Sequence, residues 1–282
     1  MKTISDILPL SKKYLEQHQI STARRDAEEI IAHVLKVKRI DLYMRFDAPL
    51  QEDELIKIRH LLKKRAKKEP LEYVLGSLSF FGCEIEVNSA VLIPRVETEI
   101  LLAKACEKIG KSELQGKKAW DLCTGSGCIG IGLKKKFPSF DVILSDISNE
   151  ALEVAKLNAA KNEVDVQFYL GDLLVPFAGM KADIVFANPP YVSKKEYEDL
   201  DFSVKNFEPS LALFAERDGY AFYFRLAKEL PHFLNTQALL FLEVGAGQGN
   251  QVQEIFSGPE WKHRRVEKDW SGQDRFFFLE FE

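Results

Sequence analysis

The chain has 282 residues and a net charge of −4, and 46% of it is hydrophobic, including 20 Phe; this is enough apolar material for a sizeable core and excludes a disordered, collagen-like or coiled-coil chain. The length predicts a large domain with a smaller companion. No run of about 18 apolar residues occurs, and Ser5, Asp6, Lys12, Lys13 and Glu16 interrupt the N-terminal stretch, so we expect a cytoplasmic protein with neither a membrane span nor a secretory leader.

Charge and cysteines narrow the class further. Residues 1–70 carry 16 Lys and Arg against 11 Asp and Glu, a net +5, which leaves −9 on the remainder. That balance argues against stable nucleic-acid binding, which needs a broad basic face to neutralise phosphates. Cys83, Cys106, Cys123 and Cys128 have the spacing of neither a zinc site nor a disulfide framework and read as reduced core thiols; the five histidines show no metal spacing, so no metal is expected.

In chain order, Ile4, Ile7, Leu8, Tyr14 and Leu15 form a first helical stripe. Ala27, Ile30, Ile31, Val34 and Leu35 form a second behind a Ser21/Thr22 cap, and Leu55, Ile58, Leu61 and Leu62 a third, which together predict a small helical bundle. Pro70 and Gly76 punctuate, and the alternating stretch 78–87 around Gly82 predicts a β-hairpin linking two domains. Beyond Val91, strands are predicted at 117–123, 141–146, 164–170, 182–190, 238–244, 263–270 and 275–281. Helices are predicted near 97–109, 128–137, 149–161, 219–234 and 247–257. Repeated strand–helix–strand units predict an α/β fold with a doubly wound, Rossmann-like seven-stranded sheet, and the short turn Ser271-Gly272-Gln273-Asp274 predicts that it closes with an antiparallel hairpin.

At the end of the first of these strands lies Asp121-Leu-Cys123-Thr124-Gly125-Ser126-Gly127-Cys-Ile-Gly130. Glycines there let the backbone turn and approach a ligand closely at the edge where doubly wound folds bind nucleotides, and Asp146, ending the next strand, suits ribose hydroxyls. Gly125, Gly127 and Gly130 also satisfy the bare pattern of dinucleotide enzymes. Asp121, suited to an ammonium rather than a pyrophosphate, and Gly171-Asp172, suited to an adenine amino group, favour S-adenosyl-L-methionine, with S-adenosyl-L-homocysteine as product.

The fourth strand runs into Asn188-Pro189-Pro190-Tyr191. A planar NH₂ nucleophile has a delocalised lone pair and must be held in line with the methyl group. The Asn188 side-chain oxygen and the rigid Pro189 carbonyl can each accept one N–H, while Tyr191 supplies a flat wall. No general base is required, because the methylated nitrogen, bearing positive charge, is acidic.

With the CTGSG loop, this motif is similar to those of class I methyltransferases acting on planar NH₂ groups in DNA, RNA or protein. Three further segments resemble the glutamine N5-methyltransferases of peptide-chain release factors: Ile93-Pro-Arg95-Val-Glu97-Thr98-Glu99; Phe207-Glu208-Pro209-Ser-Leu-Ala212-Leu213 with Asp218-Gly219; and Glu243-Val-Gly245-Ala-Gly-Gln248-Gly249 with Asp269-Trp-Ser-Gly272-Gln-Asp274-Arg275. The resemblance spans essentially the whole chain. It implies a substrate-recognition domain at 1–72, a hairpin linker at 73–90 and a methyltransferase domain at 91–282. It further implies cofactor binding by Asp121, Cys123 to Gly127, Asp146, Asp172, Leu173 and Asn188, with substrate glutamine held by Asn188 to Tyr191. The implied partner is a class-1 release factor, methylated at its Gly-Gly-Gln glutamine. Two departures are visible: Val96 replaces a proline of the family's pattern, and Ala215 stands where glycine is more usual. A nucleic-acid amino-methyltransferase is the nearest rival, but this chain has no obvious room for a target-recognition domain.

Two weaker features remain. Seven basic residues between Lys57 and Lys68 read as a solvated helix face or as a surface for an acidic partner. The charged stretch 192–207, directly after the Asn-Pro-Pro-Tyr motif, reads as a long loop placed to act as a lid or a substrate-recognition segment.

Overall fold

The computed structural model describes residues 2–110 and 116–282. They fall into two compact units: the chain up to Ser77 together with Asp201–Phe207, and Leu78–Leu200 together with Glu208–Glu282.

In the first unit, α1 (Ile4–Gln17), α2 (Ala23–Leu35), α3 (Asp41–Met44), α4 (Glu52–Ala66) and α5 (Leu71–Leu75) surround a core that contains Leu15, Ile30, Ile31 and Ile58 from the three predicted stripes. The first helix starts at Thr3, whose amide donates to the Asp6 carboxylate at 2.9 Å. Thr22 sits at the N-cap of α2 as expected, but its hydroxyl donates to Asp26 (2.8 Å) rather than capping the backbone. The short helices α3 and α5 span too few residues to show a period and were not anticipated. Four members of the basic cluster are engaged within the unit: Lys57 with Asp53, Arg59 with Glu52, Lys64 with Glu69, and Arg65 with the buried Asp26 at 2.7 Å.

The second unit begins with the hairpin of β1 (Ser77–Phe80) and β2 (Cys83–Glu86), and continues through α6 (Val96–Ile109), β3 (Lys118–Leu122), α7 (Cys128–Lys136), β4 (Asp141–Asp146), α8 (Asn149–Lys161) and β5 (Gln167–Leu170). It then adds β6 (Ala182–Ala187), α9 (Lys194–Glu198), α11 (Ala221–Glu229), β7 (Leu234–Glu243), α12 (Gly249–Ile255), β8 (Trp261–Lys268) and β9 (Asp274–Phe281); the turn of helix α10 (Phe202–Phe207) belongs to the first unit. The sheet order is β5-β4-β3-β6-β7-β9-β8, parallel except for β9, which runs antiparallel to both neighbours. This is the seven-stranded doubly wound architecture with the closing hairpin that the sequence predicts. Its central strands are covered on both faces: the neighbouring residues Val185 and Phe186 of β6 face opposite ways and are both fully buried, and Trp120 of β3 stacks on Phe177 at 4.1 Å between centroids.

The first hairpin turns at Phe81 and Gly82, both at positive φ, and docks on α8. Asn158 and Asn162 each use their carboxamide as a strand would, accepting from Glu86 N (2.7 Å) and Glu84 N (3.1 Å) and donating to the carbonyls of the same residues. Two expectations need correction. The helix predicted at 219–234 ends at Glu229, because Pro231 lacks an N–H; a 3₁₀ turn over Leu230–Phe233 follows and β7 already starts at Leu234. The stretch 192–207 is not an open loop: Ser193 and Glu196 form a capping box that starts α9, and α10 follows.

Candidate active site

The residues after β3 turn into α7 through a loop that only a glycine-rich sequence accommodates. Gly125 and Gly127 lie at φ 54° and 82°, and Cys123 at 56°. A Cβ on Gly127 would also stand 2.9 Å from Ile131 and 3.1 Å from Ala155, whereas one on Gly125 would meet open space. Asp121, within β3, braces the loop from behind: its Oδ2 accepts from the Thr124 hydroxyl (2.5 Å) and from Gly130 N (2.9 Å). Its Oδ1 is buried with no hydrogen-bond partner, and burial pushes the carboxyl up to about 7. Asp146, at the end of β4, accepts from Gly125 N (2.9 Å) and Ser148 N (3.0 Å), and burial raises its pKa as well. Asn158, fully buried, donates to the Ser126 carbonyl (2.9 Å) and so ties the loop to the hairpin it also holds.

Asn188-Pro189-Pro190-Tyr191 leaves β6 at the same edge of the sheet, beside the β3 strand end. Asn188 Nδ2 donates to Thr98 Oγ1 of α6 (3.3 Å), and that hydroxyl donates to Glu243 Oε2 at the end of β7 (2.6 Å). The other Glu243 oxygen accepts from the Tyr191 hydroxyl (3.1 Å), behind which Arg275 of β9 approaches at 3.4 Å. Glu243 is 1% exposed, and burial raises its pKa; burial and the adjoining Glu243 charge raise that of Tyr191. Gln248 accepts from Gly245 N and donates to the Tyr191 carbonyl, each at 2.9 Å. Gly219, at φ 90°, passes so close that a Cβ would lie 2.3 Å from that carbonyl. Val192 then pairs with Leu213 and Ala215, each through a 2.9 Å backbone bond, and Glu208 accepts from Ile93 N (3.1 Å) and Arg95.

Both motifs open on one cavity of about 220 Å³. Cys123, Thr124, Gly125, Ser126, Asp146, Asp172, Leu173, Asn188 and Pro190 line it; Asp121, Gly127, Pro189 and Tyr191 are not among the lining residues. Two single-residue readings change. Cys123 is not a core thiol but faces the cavity, where burial and the nearby Asp146 charge raise its pKa. Asp172 is engaged by Arg225 of α11 at 2.9 Å. Thr98, Glu243 and Gln248 stood inside segments singled out for resemblance, yet nothing local in those segments tells that they meet Asn188 and Tyr191. Asn158 had no signal beyond being a polar residue on an apolar helix face.

Comparison with known proteins agrees with this layout. Residues 6–76 match the family model described as PrmC N-terminal domain, and residues 96–205 match the methyltransferase small domain. A release factor glutamine methyltransferase of Thermodesulfovibrio yellowstonii is 38% identical over 91% of this chain and 92% of its own length, and one of Chlamydia trachomatis serovar L2 is 39% identical over 97% and 93%. The chain belongs to the release factor glutamine methyltransferase family. A solved methyltransferase from Pyrococcus furiosus, 18% identical, aligns with a TM-score of 0.53 over 79% of this chain and 95% of that one, a likeness of fold alone. The helical N-terminal unit contains the stretch 6–76 that matches the PrmC N-terminal domain. Among the described residues, no helix is long and apolar enough to cross a membrane, and no group of His, Cys, Asp and Glu is disposed to hold a metal ion.

Proposed function

We propose that this protein is a cytoplasmic enzyme that methylates the side-chain amide nitrogen of the Gly-Gly-Gln glutamine in class-1 peptide-chain release factors, with S-adenosyl-L-methionine as methyl donor. The observation that carries the reading is the meeting, on one cavity, of Asn188 and Pro190 with the Cys123–Ser126 loop and Asp146. The walls fit the donor: an orphaned buried acceptor at Asp121 behind the loop, open backbone at Gly125, carboxylates at Asp146 and Asp172, and apolar flanks at Ile147, Leu173 and Phe222.

Asp146, with lone pairs left beyond its two backbone bonds, serves the ribose hydroxyls. Leu173 and Ile147 would flank the base with apolar surface, and the Cys123–Gly127 backbone with Asp121 would hold the amino-acid end. Bound there, S-adenosyl-L-methionine would supply an electrophilic methyl group on sulfonium, with S-adenosyl-L-homocysteine as the product.

Asn188 Oδ1 and the Pro189 carbonyl each accept one N–H of the glutamine amide, which aims its nitrogen and favours the positive charge that develops on it. Two acceptors reject a hydroxyl, which has a single proton to donate. Pro189 and Pro190 fix the backbone so that neither acceptor swings away, and the Tyr191 ring, pinned through its hydroxyl and its carbonyl, walls the amide plane. The proton is lost to water after transfer, so no residue of the site acts as base. The helical unit, residues 1–72, recognises the release factor, and the hairpin region 73–90 links it to the methyltransferase domain.

Mass spectrometry of a release factor incubated with enzyme and cofactor tests the reading. A single added methyl on that glutamine is expected; no gain there while an oligonucleotide is methylated would overturn it.

A further inference from the structure

The contacts behind Asn188 set more than its position. Glu243 is buried and faces Thr98 with one oxygen and Tyr191 with the other, and each of those hydroxyls donates its single proton to it. Thr98 therefore turns a lone pair toward Asn188, and only an N–H can meet it. The carboxamide of Asn188 has two ends: with Nδ2 committed to Thr98 Oγ1 at 3.3 Å, Oδ1 is the end left for the cavity that Asn188 and Thr98 both line.

We propose that Thr98 and Glu243 are positioning residues that fix the polarity of the Asn188 carboxamide, so that it presents an acceptor and never a donor to the incoming amide. The inference rests on the methyl-transfer reading above and names what makes that pocket selective for an NH₂ group. With the polarity reversed, Asn188 would offer N–H to the substrate N–H, and one of the two bonds that aim the nucleophile would become a repulsion. Each half of the relay comes from a different element: Asn188 follows β6, Thr98 sits in the first turn of α6, and Glu243 ends β7. Tyr223 of α11 secures the far end by donating to the Glu243 carbonyl at 2.8 Å.

The test compares Thr98→Val, which keeps the shape and removes the hydroxyl, with Thr98→Ser, which keeps the hydroxyl, and with Glu243→Gln. For Thr98→Val and Glu243→Gln, kcat on a release factor falls by about 10- to 100-fold while the Kd for S-adenosyl-L-methionine stays within about threefold. Thr98→Ser restores kcat to within about threefold of wild type, and the double variant Thr98→Val/Glu243→Gln is no worse than the poorer single one.

A second readout needs no methyl acceptor. In ¹⁵N-asparagine-labelled, cofactor-free protein, one Asn188 side-chain N–H exchanges with solvent at least about tenfold faster in Thr98→Val than in wild type or Thr98→Ser. Unchanged kcat in both Thr98→Val and Glu243→Gln, or unchanged Asn188 exchange, overturns the relay. If Thr98→Val fails to fold, by circular dichroism, Glu243→Gln decides by both readouts. Should wild type methylate no release factor, the substrate reading fails and the exchange measurement alone decides the relay.

Discussion

On the glycine-loop wall of the cleft, the side-chain bonds of Asp121 and Asp146 span 2 to 21 residues of chain; on the Asn-Pro-Pro-Tyr wall, the bonds that hold Asn188, Tyr191 and Thr98 span 52 to 145. The first wall is built from β3, its loop, α7 and the end of β4, a stretch consecutive in the chain whose carboxylate braces are local. The second exists only once β6, β7, β9 and α6 have been brought together, and each of those long closures costs chain entropy that the local bonds avoid. Such a difference teaches where damage spreads. Changes on the local wall should impair ligand binding and leave the rest of the site alone, whereas changes on the distant wall should unsettle catalysis or folding at several points together.

The largest expected effect is at the acceptor itself. Asn188→Ala should lower kcat by about 10²–10³-fold, the cost of losing one preorganised polar contact to the reacting group. Its cofactor Kd, measured calorimetrically, should stay within about threefold of wild type. A comparable loss in cofactor affinity would merge the two walls and break the comparison.

Two glycines sharpen it. Gly219→Ala combines a left-handed backbone with a Cβ driven to 2.3 Å from the Tyr191 carbonyl, and should cost about 2–4 kcal/mol in urea unfolding. Gly125→Ala meets the same backbone penalty in open space, so about 1–2 kcal/mol is expected, with weakened cofactor binding as its main symptom. If both variants lose the same stability, crowding at the second wall is not what separates them.

A pH dependence belongs to the local wall. Burial holds Asp121 near 7, above its unfolded value, so in the cofactor-free protein the protonated form is the one favoured by folding. Its contribution to stability is complete below pH about 4 and is lost as pH rises through about 7. Under the proposed role of Asp121 the cofactor's ammonium favours the ionised form, so cofactor affinity should fall as pH drops from 8 to 6, by up to about tenfold. Asp121→Asn should flatten that profile, and a slope that persists in the variant would move the titrating group elsewhere.

The smallest effect is on the helical unit. With Lys57, Arg59, Lys64 and Arg65 already engaged in ion pairs, Lys63 and Lys67 are the members of the basic cluster to test for docking. Replacing both by Gln should change unfolding free energy by less than about 0.5 kcal/mol. If this face meets an acidic partner, the same variant should reduce the salt dependence of methylation on intact release factor.

Sequence alone determined whatever depends on neighbours in the chain: the helical stripes around Ile30 and Ile58, the alternation of strands and helices, the left-handed loop that Gly125 and Gly127 permit, and the rigid exit at Pro189-Pro190. It missed where helix α11 stops and how 192–207 folds, because a 3₁₀ turn at Pro231 and a capping box at Ser193 are small local choices that tertiary packing ratifies. The three-dimensional fold decided which distant polar groups meet. Thr98, Glu243 and Gln248 were visible as members of suggestive segments, but a hydrogen bond needs its partners within about 3 Å. Only the packing of α6 against the assembled sheet brings a threonine and a glutamate 145 residues apart to that distance.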